Sequence, residues 1–382
     1  MSLPLLIDEQ GHLPLPWLAD PLQSALDHHK GHALLVHGAA GVGALQFVLA
    51  LAQSWLCEAP TPRPSVPASE PLRPSSSSSS AACGRCGSCR LVQARVHPDL
   101  FVLLPESLRR EHDWPVSGDK TEGEDSKRKP SRQIRIVEVR AMLQWAYKTS
   151  ARGRGKVAVL HPADVLNAQS ANALLKTLEE PPDGTRLILS TTDPALLLPT
   201  LRSRCQHLRL APPQTAQALQ WLSDQGVSQA SVLLAACSGR PLQALEWSQA
   251  GVNAAQWLNL PTAMRQGQAA ALAGWPIPRA VDALQKLCHD AMACAAGAPP
   301  RFFSAESMPK AADVSRLAAW AQELARIARH DEHPWNEGLL IDSLVGAAAQ
   351  ALVSGRPPAS FARTAPPDQG RAGTTRFDTL RP

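Results

Sequence analysis

Residues Ala33–His37 (ALLVH) form a short apolar run that closes on glycines at 38, 41 and 43 and leads into the apolar stretch Leu45–Cys57. The run predicts a buried strand. The stretch after it, broken only by Gln46, Gln53 and Ser54, predicts a helix packed on a sheet. Strand, glycine loop and helix in that order open a βαβ unit, the building block of α/β folds. The same region tempts a membrane reading, because His32 to Ala52 is largely apolar. His37, Gln46 and the glycines interrupt it, which fits strand, loop and helix rather than one spanning helix.

Further elements follow the same alternation. Leu100–Leu104 (LFVLL), Val157–Leu160 and Leu187–Ser190 predict a second, third and fourth strand. Ile136–Lys148 predicts a helix, and so does Ser170–Glu180, which Pro181 and Pro182 terminate. After Leu210 the strand signals vanish, and Thr215–Trp247 and Ala280–Leu352 read as helices. Breaks near Pro261 and at Trp275–Pro278 suggest a boundary between two helical units. The chain of 382 residues has 34 prolines, well above the usual share of about 5%. Many of them fall in the stretch 58–82, with its six consecutive serines, and in the tail 355–382. Both are expected to be disordered, as is the charged insertion 106–132. The net charge of +5 is scattered along the chain and points to an ordinary solvated surface rather than a nucleic-acid face. No basic start followed by an apolar core stands in Met1 to Asp20, so a cytoplasmic location is expected, with cysteines reduced or metal-bound.

The loop after the first strand is Gly38-Ala39-Ala40-Gly41-Val42-Gly43-Ala44-Leu45. A phosphate loop follows G-x-x-x-x-G-K-[ST]. The glycines are in place, but Ala44 replaces the lysine that meets the β- and γ-phosphates, and Leu45 replaces the hydroxyl that ligates Mg²⁺. The third strand shows a matching loss. Where an acidic pair would hold Mg²⁺ and orient water stand His161 and Pro162, and Asp164 lies too far along to substitute. Two halves of one site are missing together, so ATP hydrolysis and tight ATP·Mg²⁺ binding by this chain are not expected.

Lys156–Leu210 resembles the core of bacterial clamp-loader AAA+ subunits, with Asn172–Pro182 (NALLKTLEEPP) and Ser203-Arg204-Cys205 as its signatures. The lost lysine and acidic pair set it apart from the ATPase subunit of that family, gamma/tau, and align it with an ATPase-inactive member. The resemblance covers roughly residues 1 to 250. It implies a AAA+ α/β domain (1–211) with a parallel sheet, a small helical lid (212–262) and an all-α collar domain (263–354). It implies a part in the DNA polymerase III holoenzyme with no enzymatic activity of its own. The partners implied are gamma/tau and delta subunits, with the sliding β clamp and primed DNA reached through the complex and no membrane.

The resemblance also implies that Arg204 projects into a neighbour's ATP site as an arginine finger, a task suited to a delocalised, always-charged fork. Arg202 is adjacent, and the sequence does not separate the two. Thr191-Thr192 and Ser238-Gly239-Arg240 lie where AAA+ proteins sense nucleotide, but strand-end and helix-end turns explain them equally well.

Cys57, Cys83, Cys86 and Cys89 form a second constellation, three of them at x₂ spacing. Four thiolates suit tetrahedral Zn²⁺ in a closed structural site, and related subunits carry such a module after the loop helix. An Fe–S cluster is the rival metal and a disulfide the rival covalent reading, the latter disfavoured in a reducing compartment. Cys205, Cys237, Cys288 and Cys294 lack metal spacing and are expected to be buried small residues. Two other functions share some of these features. An active gamma/tau-like ATPase is opposed by Ala44, Leu45, His161 and Pro162, and a zinc-dependent nucleic-acid-binding protein by the scattered charge.

Overall fold

The structure is a computed structural model that describes residues 4–60, 81–115, 130–309, 313–329 and 335–353. Most of the 58–82 insertion, the middle of the 106–132 insertion and the tail 355–382 lie outside the described residues. The chain divides into two compact units, Met1–Ala254 and Ala255–Pro382.

The first unit opens with α1 (Ala19–His28), β1 (Ala33–His37), α2 (Ala44–Leu56) and α3 (Gly87–Gln93). Next come β2 (Leu100–Leu103), α4 (Glu106–Glu111), α5 (Ile136–Ala146), β3 (Lys156–Leu160) and α6 (Ala168–Glu179). β4 (Thr185–Thr191), α7 (Pro199–Arg202) and β5 (Gln206–Arg209) complete the sheet, and α8 (Thr215–Asp224), α9 (Ala230–Ala236) and α10 (Pro241–Gln249) follow it. The five strands form one parallel sheet in the order β2-β3-β4-β1-β5. Helices cover both faces, so the central strands are buried on both sides and read as continuous apolar runs. Leu35, Leu160 and Leu189 from the strands pack against Val139 and Met142 of α5 and Leu174 and Leu178 of α6. This is the α/β frame expected of a AAA+ chain.

Helix α2 is buried almost along its whole length, which explains the membrane-like composition of its segment. Among the described residues no helix is long and apolar enough to cross a membrane. Gln53, fully buried in α2, both accepts from Ile7 N–H (2.9 Å) and donates to Ile7 O (3.0 Å), tying the N-terminal segment to that helix.

Several expectations need correction. Glu106–Glu111, expected to be disordered with the rest of 106–132, forms α4. This short polar helix has no apolar periodicity to betray it. It is held by the Glu106–Arg110 pair one turn apart and by Arg109 on Glu138 of α5 (2.5 Å). In the 58–82 stretch, Ala81 and Ala82 are buried, and Ala82 N–H donates to Ser54 Oγ (3.1 Å). β5 was not anticipated, because its sequence QHLR is polar and its side chains are largely exposed at the sheet edge.

The second unit is helical: α11 (Ala254–Arg265), α12 (Ile277–Ala295), α13 (Val314–Ala328) and α14 (Glu337–Leu352). Pro261 lies inside α11 and does not end it. Trp257 of α11 is rooted in the second unit. It stacks on Phe303 at 4.5 Å and donates its indole N–H to Phe302 O. Asp290, fully buried in α12, accepts the N–H groups of Arg301, Phe302 and Phe303 and so fixes the segment after that helix.

Candidate functional site

In a parallel sheet the carboxyl ends of the strands share one edge, where α/β folds place their ligand sites. The loop 38–45 leaves β1 at that edge, and Gly38 N–H donates to Thr191 O at the end of β4 (3.3 Å). Each glycine has a packing or conformational reason that involves no phosphate. A Cβ on Gly38 would lie 2.6 Å from Leu210 O. Gly41 (φ +81°) presents its carbonyl to Leu242 N–H (3.2 Å). Gly43 (φ +97°) caps α2, and a Cβ there would meet Leu15 Cδ1 at 2.3 Å. Val42 O accepts the Trp17 indole N–H (2.8 Å). Leu45 is buried among core side chains and leaves no hydroxyl in the loop, and Ala44 brings no charge.

A cleft of about 400 Å³ beside the loop is lined in part by Ala40, Gly41, Gln46, Glu111, Gln243 and Glu246. Its described lining contains carboxylates and no lysine or arginine, the wrong sign for a polyphosphate. Arg240, at the sensing position, has Nε donating to Cys237 O (2.8 Å) within the turn formed by Ser238 and Gly239.

At the end of β3, His161 Nδ1 hydrogen-bonds Ser190 Oγ of β4 (2.6 Å). Burial, helped by nearby His112, pushes the imidazole down to about 4, so it is neutral at pH 7 and offers no carboxylate to a cation. Thr191 Oγ1 donates to Asp193 O and accepts from Asp193 N–H, a closed local turn. The loop, His161 and Thr191 thus lie at the carboxyl ends of neighbouring strands, with Gly38 bonded to Thr191 and His161 bonded to Ser190.

Arg204 has its polar partners elsewhere. It follows the buried anchor Leu201 of α7 and stays partly exposed. Nε donates to Glu179 Oε1 (2.6 Å), Nη2 donates to the same oxygen, and Nη1 donates to Thr200 O (2.8 Å). Arg202 is directed instead toward Pro194 O (3.4 Å). Cys205 beside it is partly buried, and burial pushes its thiol up to about 11, which makes it unreactive.

The four cysteines converge. Their Sγ atoms lie within 4.8 Å of one another, with Cys57 Sγ 3.6 Å from Cys83 Sγ and 3.8 Å from Cys86 Sγ. Backbone N–H groups of Cys83, Cys86 and Cys89 each point at the preceding thiol of the set (3.4 Å). Such bonds favour thiolates, and the donor set fits a metal ion. Gly84 (φ +74°) permits the turn, since a Cβ would fall 1.7 Å from Asp8 O. Arg152 fastens the module to the sheet unit through Glu58 Oε1 (2.9 Å from Nε) and Ser88 Oγ (3.0 Å). The loop of Arg152 is in turn held by buried Asp99, which accepts the N–H groups of Ala151 and Arg152 and the Ser150 hydroxyl. Of the remaining cysteines, Cys237 and Cys288 are buried. Cys205 and Cys294, expected to be buried, are partly so.

The sequence profile of the family described as DNA polymerase III, delta subunit, matches residues 18–214. The Escherichia coli K12 protein named DNA polymerase III subunit delta' is 31% identical over 293 residues, covering 71% of this chain and 76% of that one. The chain belongs to this delta' family. The Pseudomonas aeruginosa subunit delta' is 34% identical over 242 residues, covering 61% of this chain and 62% of its relative, less than two thirds of that protein. Among solved structures, a gamma-subunit-related protein from Thermotoga maritima aligns with a TM-score of 0.41 at 13% identity, over 88% of this chain and 99% of that one.

One member of this delta' chain's polar network escaped the sequence reading. Glu179 lies inside the NALLKTLEEPP motif, yet only the fold brings it to Arg204. For His161 the folded pKa lies below the unfolded value near 6.5, so its neutral state stabilises the fold above that pH. That stability is lost as pH falls from 6.5 toward 4, by about 3 kcal/mol at most. Urea midpoints measured across this window are expected to fall with pH, and less steeply in His161→Gln. An unchanged slope in that variant would show that the fold does not hold the imidazole neutral.

Proposed function

We propose that this chain is the non-hydrolysing member of a clamp-loader ring, lending Arg204 in trans to the ATP site of a neighbouring gamma/tau subunit. The observation that carries the reading is a pairing of opposites. The chain's own loop site has Ala44, Leu45 and a neutral His161 where charge and metal ligands belong. Its Arg204, outside that site, is partly exposed in the turn after α7. An arginine that works on another subunit's γ-phosphate needs no nucleotide at home. In this role the subunit stands beside gamma/tau and delta, and the ring delivers the sliding β clamp to primed DNA as part of the polymerase III holoenzyme in the cytoplasm. The subunit forms no phosphodiester bond itself. The helices of the second unit supply the collar, and α8 to α10 act as the lid.

Cys57, Cys83, Cys86 and Cys89 would hold a structural Zn²⁺, which cross-links the end of α2 to α3.

In a loader reconstituted with gamma/tau and delta, Arg204→Ala is expected to slow hydrolysis at the neighbouring site by about 10³-fold or more, with assembly intact. Single-turnover hydrolysis on primed DNA with clamp reads this directly, and an unchanged rate would reduce Arg204 to a surface residue. For the cysteines, elemental analysis of the purified chain is expected to find one zinc per chain, lost in Cys89→Ser and kept in Cys294→Ser. Chelation should lower the unfolding temperature by several degrees, on the order expected for loss of a structural ion. Iron in place of zinc, or a metal-free chain of equal stability, would refute the assignment.

A further inference from the structure

The two motifs that the sequence presents separately, NALLKTLEEPP and Ser203-Arg204-Cys205, meet in one ion pair. Glu179 Oε1 accepts from both Nε and Nη2 of Arg204, gripping one edge of the guanidinium. Thr200 O, on α7, accepts a hydrogen bond from Nη1 (2.8 Å). Part of the fork, including the second N–H of Nη2, stays outside these bonds.

Both supports are anchored. α7 is seated by buried Leu201. The C-terminal end of α6 is pinned by buried Leu178, whose carbonyl accepts from His32 Nε2 (2.7 Å). Glu179 is the last residue of α6, where the negative end of the helix dipole disfavours a carboxylate. Arg204 offsets that. With side chains 32% and 48% exposed, such a pair adds little to stability, so a staple for the fold is a poor account of it. It is a good account of orientation: an arginine has four rotatable torsions, and fixing them beforehand removes that entropy from the transition state it serves.

We propose that Glu179 is a positioning residue for Arg204, holding the guanidinium aimed for a neighbouring subunit's γ-phosphate. This rests on the reading of Arg204 as an arginine finger. Because one oxygen accepts both N–H groups, an amide at the same place keeps the hydrogen bonds without the charge.

The test uses the complete reconstituted loader with clamp and primed DNA, measuring kcat and KM for ATP in Glu179→Ala, Glu179→Gln, Glu179→Asp and Arg204→Ala, with assembly checked by gel filtration. Glu179→Ala is expected to lower the neighbouring site's rate by about tenfold while leaving KM within about twofold. Glu179→Asp, whose oxygen is withdrawn by one methylene, should behave the same, and Glu179→Gln should recover most of the rate. Adding Glu179→Ala to Arg204→Ala should cost nothing further, since the residue acts only through the arginine. A loss that adds to that of Arg204→Ala would place its action elsewhere, and a rate that rises in Glu179→Ala would make the carboxylate a restraint; either overturns the proposal. Arg204→Ala impaired with Glu179→Ala and Glu179→Asp unchanged overturns the positioning role alone. An unimpaired Arg204→Ala removes the finger itself, and the positioning role with it.

Discussion

β1 is hydrogen-bonded on both sides, to β4 and to β5, and the organisation of the loop site depends on that parallel ladder. The ladder extends past the strand. Gly38 N–H reaches Thr191 O on one side, and Leu210 N–H reaches His37 O on the other. The close approach of Leu210 leaves no room for a Cβ on Gly38. A glycine at this point is thus required by the backbone itself, whether or not a phosphate binds. The same holds for Gly41 and Gly43, whose positive φ values turn the chain into α2. Such a loop can keep its shape with Ala44 and Leu45 in place of lysine and hydroxyl, because its glycines serve the fold.

The replaced positions share a second logic. Lysine, hydroxyl and acidic pair are costly to keep near a buried strand edge unless an ion or phosphate compensates them. Ala44, Leu45 and a neutral His161 bonded to Ser190 remove that cost and return the site to ordinary packing. The arginine that remains partly exposed follows α7 in the turn before β5 and is bonded to Glu179 of α6.

Much of this was legible in the sequence where the physics is local. β1, α2 and β3 announce themselves because burial on both faces writes a continuous apolar run. The cysteine set is readable because three of its thiols share one turn-forming stretch, with Cys57 at the end of the preceding helix. β5 was invisible because an edge strand with polar, exposed side chains carries no apolar signal. α4 was hidden by its charge and shortness, and Pro261 misled because a proline can ride inside a helix that packing holds. The Glu179–Arg204 pair joins residues 25 apart through tertiary structure, which no periodicity encodes.

We propose that this delta' chain keeps the frame of a nucleotide site without its function. Titration calorimetry of the purified chain with ATP and Mg²⁺ tests that most directly. The account predicts no saturable binding tighter than about 1 mM, the level left to loop amides without lysine or metal ligands. Binding in the low micromolar range, about 4 kcal/mol stronger, would contradict it and return the chain to the nucleotide-binding members of its fold.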